Sequence, residues 1–124
     1  MVLSQAQIDE IASNFHEKFV KFLALRDPLK VAACYEPNAV LIQSGQETKV
    51  WFGREQITQM LKLFLANYNP NAGDKLTQSL ATPNGEYVIL QGICEEGGNW
   101  KPYEVVLRKQ SDGSYLITRD EFKV

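Results

Sequence analysis

The sequence predicts a single α+β domain over residues 1–124 in which three helices cover one face of a curved antiparallel sheet, in the order α-α-β-β-α-β-β-β-β. Two observations carry this expectation. Apolar residues recur at spacings of three and four only before Pro70, in runs opened by helix-start signals. After Gly73 the chain reads as long β stretches separated by Gly, Asn, Asp and Pro clusters, and every connection is short.

The first helix starts at Ser4, which forms a capping-box pair with Gln7 and lets each side chain satisfy an orphan backbone N–H. Ile8, Ile11, Ala12, Phe15, Phe19, Phe22 and Leu23 then trace one apolar stripe to about Leu25. Asp27 before Pro28 opens a second helix, because Asp caps and proline at the first position gives up an N–H that has no partner there. It is expected to run to about Tyr35, where Pro37 disfavours helical geometry at Glu36.

Ala39 to Ser44 follows as a strand of β-branched character, and Ser44-Gly45-Gln46-Glu47 turns the chain into a short second strand, Lys49 to Phe52. Gly53 breaks that strand before the third helix, marked by Ile57, Met60, Leu61, Phe64, Leu65 and Tyr68. The segment Asn67 to Gly73 is rich in turn formers and ends the helical half. Strands are then expected at Leu76–Thr82, Glu86–Glu95, Trp100–Lys109 and Ser114–Phe122, joined by turns whose residues tolerate positive φ. Gly92, in mid-strand, fits a bulge or a bend.

Thirteen Lys and Arg stand against fifteen Asp and Glu, for a net charge of −2, and the cations are scattered. That distribution argues against nucleic acid as a partner, and no stretch approaches the roughly 18 apolar residues that a membrane span needs. With no leader-like start, a cytoplasmic location is expected. Cys34 and Cys94 have no CxxC spacing and the chain has one histidine, so neither a disulfide framework nor a metal site is expected, and no cofactor is implied.

The phrases Tyr35-Glu36-Pro37-Asn38-Ala39-Val40-Leu41, Gly53-Arg54-Glu55-Gln56-Ile57 and Arg119-Asp120-Glu121-Phe122, together with the element order, make the chain resemble the SnoaL-like branch of the nuclear transport factor two-like superfamily. The resemblance covers nearly the whole chain, and its loose motifs specify the fold better than the activity. It implies a cone: a strongly bent sheet wrapped around the helices, enclosing an apolar pocket, with homodimers formed through the outer sheet face. Members include enzymes, binding proteins and a protein-interaction module, so the fold alone decides none of these.

The resemblance also allows one activity to be tested. When the strand entries are superposed, the helix-1 tyrosine of ketosteroid isomerase falls on Phe19 and its strand aspartate on Gln43. Phenylalanine offers no donor to an oxyanion and glutamine does not act as a general base, so that activity is not expected. Its second oxyanion donor, a protonated acid, aligns near Glu104, which is one candidate for a buried acid or an outward-facing residue.

His16, the sole imidazole, borders the core face of the first helix and is the other candidate acid or base. In Arg119-Asp120-Glu121, alternation sends Arg119 and Glu121 to one face and Asp120 to the other; an inward Arg119 would hold a ligand carboxylate, an outward one a surface ion pair. Phe15, Phe19, Tyr35, Gln43, Met60 and Phe64, with Arg119, are expected to line a pocket in the cone. Trp51 and Trp100 fit either core or mouth.

Three functions are therefore expected to compete. The leading one is a homodimer that binds a small hydrophobic molecule in its pocket. The second is a lyase, cyclase or isomerase using Glu104 or His16, and the third a protein-interaction module that exposes Trp51 or Trp100.

Overall fold

A computed structural model describes residues 2–124. Helix α1 spans Gln5–Ala24 and α2 Pro28–Ala32; strands β1 (Tyr35–Ser44) and β2 (Lys49–Phe52) precede α3 (Gly53–Ala66). Four strands complete the chain: β3 (Asp74–Ala81), β4 (Tyr87–Glu96), β5 (Asn99–Lys109) and β6 (Tyr115–Lys123). This is the expected order of elements. The Ser4–Gln7 capping box is present in full, and Asp27 accepts from the backbone N–H groups of Leu29 and Lys30.

The six strands form one curved, unclosed sheet in the order β2-β1-β6-β5-β4-β3, against whose concave face the helices pack. All neighbours are antiparallel except β1 and β6, which run parallel. No turn connects β1 to β6; they are the edges of a hairpin and a meander brought together by the core, so a hairpin turn does not dictate their direction.

The boundary between α2 and β1 differs from expectation. The helix ends at Ala32, and β1 begins at Tyr35, four residues before Ala39. Tyr35 is drawn into the sheet because its side chain is wanted in the core, where it is 1 % exposed, and because the adjacent Cys34 carbonyl accepts from Ile117 N–H. Pro37 is tolerated inside the strand because the ladder with β6 is interrupted between Tyr35 and Val40, where a missing N–H breaks no bond.

The core collects Ile8, Ala12, Phe15 and Leu23 from α1, Ile57, Leu61 and Leu65 from α3, and the inward residues of the strands. Register divides those inward residues into rows that cross the sheet. The most deeply buried row holds Tyr35, Ile117, Leu107, Val88 and Ala81. The next runs Trp51, Leu41, Asp120, Val105, Leu90, Ser79, and a third runs Lys49, Gln43, Phe122, Tyr103, Gly92, Leu76. Polarity thus rises toward the open end of the cone.

Candidate functional site

Asp120 stands in the second inner row between Leu41 and Val105, 8 % exposed, and is one of two buried charged residues among the described ones. Strict alternation from Ile117 would turn Asp120 outward and Arg119 inward. Instead the β5–β6 register shifts between Leu107–Ile117 and Val106–Arg119, so Thr118 is an extra residue and every later side chain of β6 changes face. The Tyr35 hydroxyl, reaching up from the deepest row, donates to Asp120 Oδ2 at 2.7 Å. Burial pushes the Asp120 carboxyl up to about 6 from its ordinary 3.8, against the lowering effects of Tyr35 and Arg119.

A second polar group lies nearer the open end. Asp74, at the start of β3, accepts from Tyr103 at 2.7 Å and is 3.1 Å from His16 Nε2; the Tyr103 hydroxyl and His16 Nε2 are 3.4 Å apart. Burial alone would raise the Asp74 carboxyl, but hydrogen bonds from His16 and Tyr103 hold it below its ordinary value. Burial and the Asp74 hydrogen bond together push the Tyr103 phenol far up. Gly92 makes this arrangement possible: it faces Tyr103 across the β4–β5 ladder, and a Cβ there would overlap the phenol ring and hydroxyl. Facing Asp74 from β4, the Cys94 thiol is raised by burial and then by the Asp74 charge.

The residues singled out in the sequence fall in three places. Phe15 is in the core, stacked on Phe19 at 6.1 Å; Phe19 meets Tyr35 edge-on at 6.1 Å; Met60 packs against the core, half-buried. Gln43 is on the third inner row next to Phe122. His16 is at the open end, with side-chain exposure of 22 %.

Phe64 does not line the interior: it is 42 % exposed and lies against Tyr68, because it sits beside the inward stripe of Ile57, Leu61 and Leu65. Glu104 and Arg119 are on the outer sheet face, where Gln91 donates to Glu104 at 2.8 Å and Arg119 pairs with Glu121 at 2.5 Å. With Val105 inward, its neighbour Glu104 is turned away from the cone, so neither it nor Arg119 reaches a ligand held inside. Trp51 ends the second inner row, half-buried; Trp100 is 42 % exposed, its ring over Gly73 with the Lys75 ammonium 4.9 Å away.

Sequence reasoning missed Asp120, Asp74 and Tyr103 as interior groups. The glycine at position 92 was the one signal that pointed at Tyr103 and, through it, at Asp74, since a mid-strand glycine marks a close approach; nothing in the sequence pointed at Asp120. Among the described residues there is no metal-binding group of His, Cys, Asp and Glu, and no helix is long and apolar enough to cross a membrane. Two open grooves, of about 450 and 350 Å³, lie outside the cone: one between α1 and β3, the other between α1 and the Gly113–Tyr115 turn.

No family model matches the sequence, and no curated protein matches it. Solved structures do. An NTF-2 like protein of unknown function from Silicibacter pomeroyi superposes with a TM-score of 0.75 at 11 % identity, over 97 % of this chain and 98 % of that one. A ketosteroid isomerase-like protein from Erwinia carotovora atroseptica gives 0.67 at 18 % identity, covering 96 % and 94 %. ActVI-ORFA from Streptomyces coelicolor gives 0.70 at 16 % identity, covering 91 % and 93 %.

Proposed function

Starting from the NTF2-like cone fold that this chain has, we propose that it is a homodimeric protein that binds a small, largely apolar molecule inside the cone, with Asp120 as the polar anchor. The observation that carries this reading is the isolation of that carboxyl. Among the described residues the Tyr35 hydroxyl is its one protein donor, and it binds Oδ2. Every fully buried side-chain oxygen or nitrogen has a partner, so Oδ1, which has none, is the oxygen left accessible. A buried carboxylate without a cationic partner is costly, and that cost is ordinarily tolerated where the group meets something else. Phe19, Met60, Trp51, Tyr103 and Phe122 pack against the core and are only half-buried, and in this reading they supply the apolar lining.

Pairing through the outer sheet face is supported by its rows. Phe52, Val40, Arg119, Val106, Ile89 and Leu80 cross the whole sheet in register, and Phe52 is 62 % exposed. The next row, Val50, Ile42, Glu121, Glu104, Gln91 and Gln78, places its charges at the centre. A self-complementary interface would exclude water from the apolar row and set Arg119 against the acids of either copy.

Ligand-observed NMR against a library of small aromatic and alicyclic molecules tests the binding reading. Hits are expected with the wild-type protein and are expected to disappear in Asp120→Leu, with circular dichroism confirming the fold of the variant. Hits of equal strength in both proteins would remove Asp120 as the anchor.

A second reading, proton-transfer catalysis, is favoured by the His16–Asp74–Tyr103 geometry. A carboxylate 3.1 Å from Nε2 orients the imidazole and leaves Nδ1 to accept a proton. It predicts a turnover that Asp74→Asn slows and that ligand binding at Asp120 alone does not require.

A further inference from the structure

We infer that the molecule bound in the cone is an organic ammonium ion, its charged nitrogen meeting Asp120 Oδ1 and its carbon skeleton lying among the rings of Tyr35, Phe19, Tyr103 and Phe122. This rests on the binding reading above and names the ligand class. The argument comes from where the protein's own cations are.

The basic side chains of the surrounding elements are engaged elsewhere or stand apart from Asp120. From α3, Arg54 donates to the Tyr35 carbonyl through Nε and Nη2, at 3.2 and 2.5 Å. From α1, His16 is held by Asp74, while Lys18 lies over the Phe15 ring; from α2, Lys30 lies over Phe22. Arg119, next in sequence, is on the opposite face of the sheet with Glu121 and Glu104. On the inner rows Lys49 stands at the sheet edge on β2, and Lys101 is opposite Cys94 toward the open end.

The remaining titratable groups near Asp120 are the Tyr35 and Tyr103 phenols and the Cys94 thiol, all neutral at physiological pH because burial raises each of them. The interior therefore offers a negative carboxylate, more than nine-tenths buried and with one oxygen unpartnered, and among the described residues no cation is paired with it. The row geometry supplies the other half of an ammonium site. Phe122 is two residues from Asp120 on the same face of β6, Tyr103 is its cross-strand partner on β5, and Phe19 packs on Tyr35. Aromatic faces beside a carboxylate attract a cation through the ring quadrupole as well as through charge, and a desolvated site strengthens both. An anionic ligand would meet Asp120 and Asp74 as like charges.

Three molecules of one shape separate the possibilities: benzylammonium, benzyl alcohol and benzoate, titrated into the ¹⁵N-labelled protein at pH 7.5. Benzylammonium is expected to bind at least about tenfold more tightly than benzyl alcohol, with benzoate weakest. Its shifts are expected to centre on the amides of Leu41, Val105 and Phe122, and the preference is expected to vanish in Asp120→Asn. A measurement on the wild-type protein covers the case in which that variant does not fold: the Asp120 carboxyl, followed by ¹³C NMR, is expected to titrate at lower pH when benzylammonium is bound than when benzyl alcohol is. Benzyl alcohol or benzoate binding as tightly as the amine would overturn the ammonium assignment while leaving the binding reading in place. Binding of none of the three would overturn both.

Discussion

At Asp120, burial of one carboxyl group makes a contribution to stability that depends on pH. Its folded pKa, about 6, lies above its ordinary 3.8, so its contribution to stability is fully present below pH 3.8 and is lost as pH rises through 6. Asparagine keeps the acceptor for Tyr35 and cannot ionise. The stability of Asp120→Asn relative to wild type is therefore expected to rise between pH 4 and 7.5, by up to about 3 kcal/mol, in urea denaturation curves. A difference independent of pH would mean that Asp120 is not desolvated.

Asp74 has the opposite sign: its lowered pKa gives stability above the ordinary value that fades in acid. At Gly92 the prediction is steric. Adding a methyl group displaces the Tyr103 ring from its place above β4 and separates its hydroxyl from Asp74, so Gly92→Ala is expected to cost about 1–3 kcal/mol, read from the same curves. These interior roles were only partly legible in the sequence. Asp120 and Arg119 exchange faces because of a single extra residue at Thr118, and a bulge leaves no mark in the hydrophobic pattern of so short a strand.

Among the elements, those fixed by local chemistry were the legible ones. The Ser4 capping box and the Asp27-Pro28 start are both in place, and each acts within three residues of itself. Ser4→Ala is expected to lower stability by about 1 kcal/mol with no change of fold, since it frees the Gln7 N–H that the serine oxygen accepts. The end of α2 was not legible, because what pulls Tyr35 into β1 is a partner 85 residues away in sequence, Asp120. The parallel joint between β1 and β6 was unreadable for the same reason: it is made by packing rather than by a turn. His16 illustrates the intermediate case. Its place on the inner edge of α1 followed from helical spacing, but Asp74 and Tyr103 reach it only through the curvature of the sheet.

On the scale of the molecule, the proposed pairing uses the outer face and the proposed binding the interior, and the two can be perturbed separately. Phe52→Lys places a charge at the edge of the apolar outer row without touching an inner residue. It is expected to convert dimer to monomer in sedimentation velocity while the far-ultraviolet spectrum is unchanged; a variant that sediments as the wild type does would move the interface off that row. Fold class and element order were legible because the switch from helical to alternating periodicity near Gly73 is a property of the whole chain. The candidate site was not, because it depends on which face each strand residue meets.

The central claim, that a small molecule is held at Asp120 inside a paired cone, is tested most directly by native mass spectrometry of the gently purified protein beside Asp120→Asn. The account predicts a wild-type dimer carrying a defined small adduct, and an Asp120→Asn dimer without it. A wild-type monomer free of any adduct, or an adduct carried equally by both proteins, would contradict it.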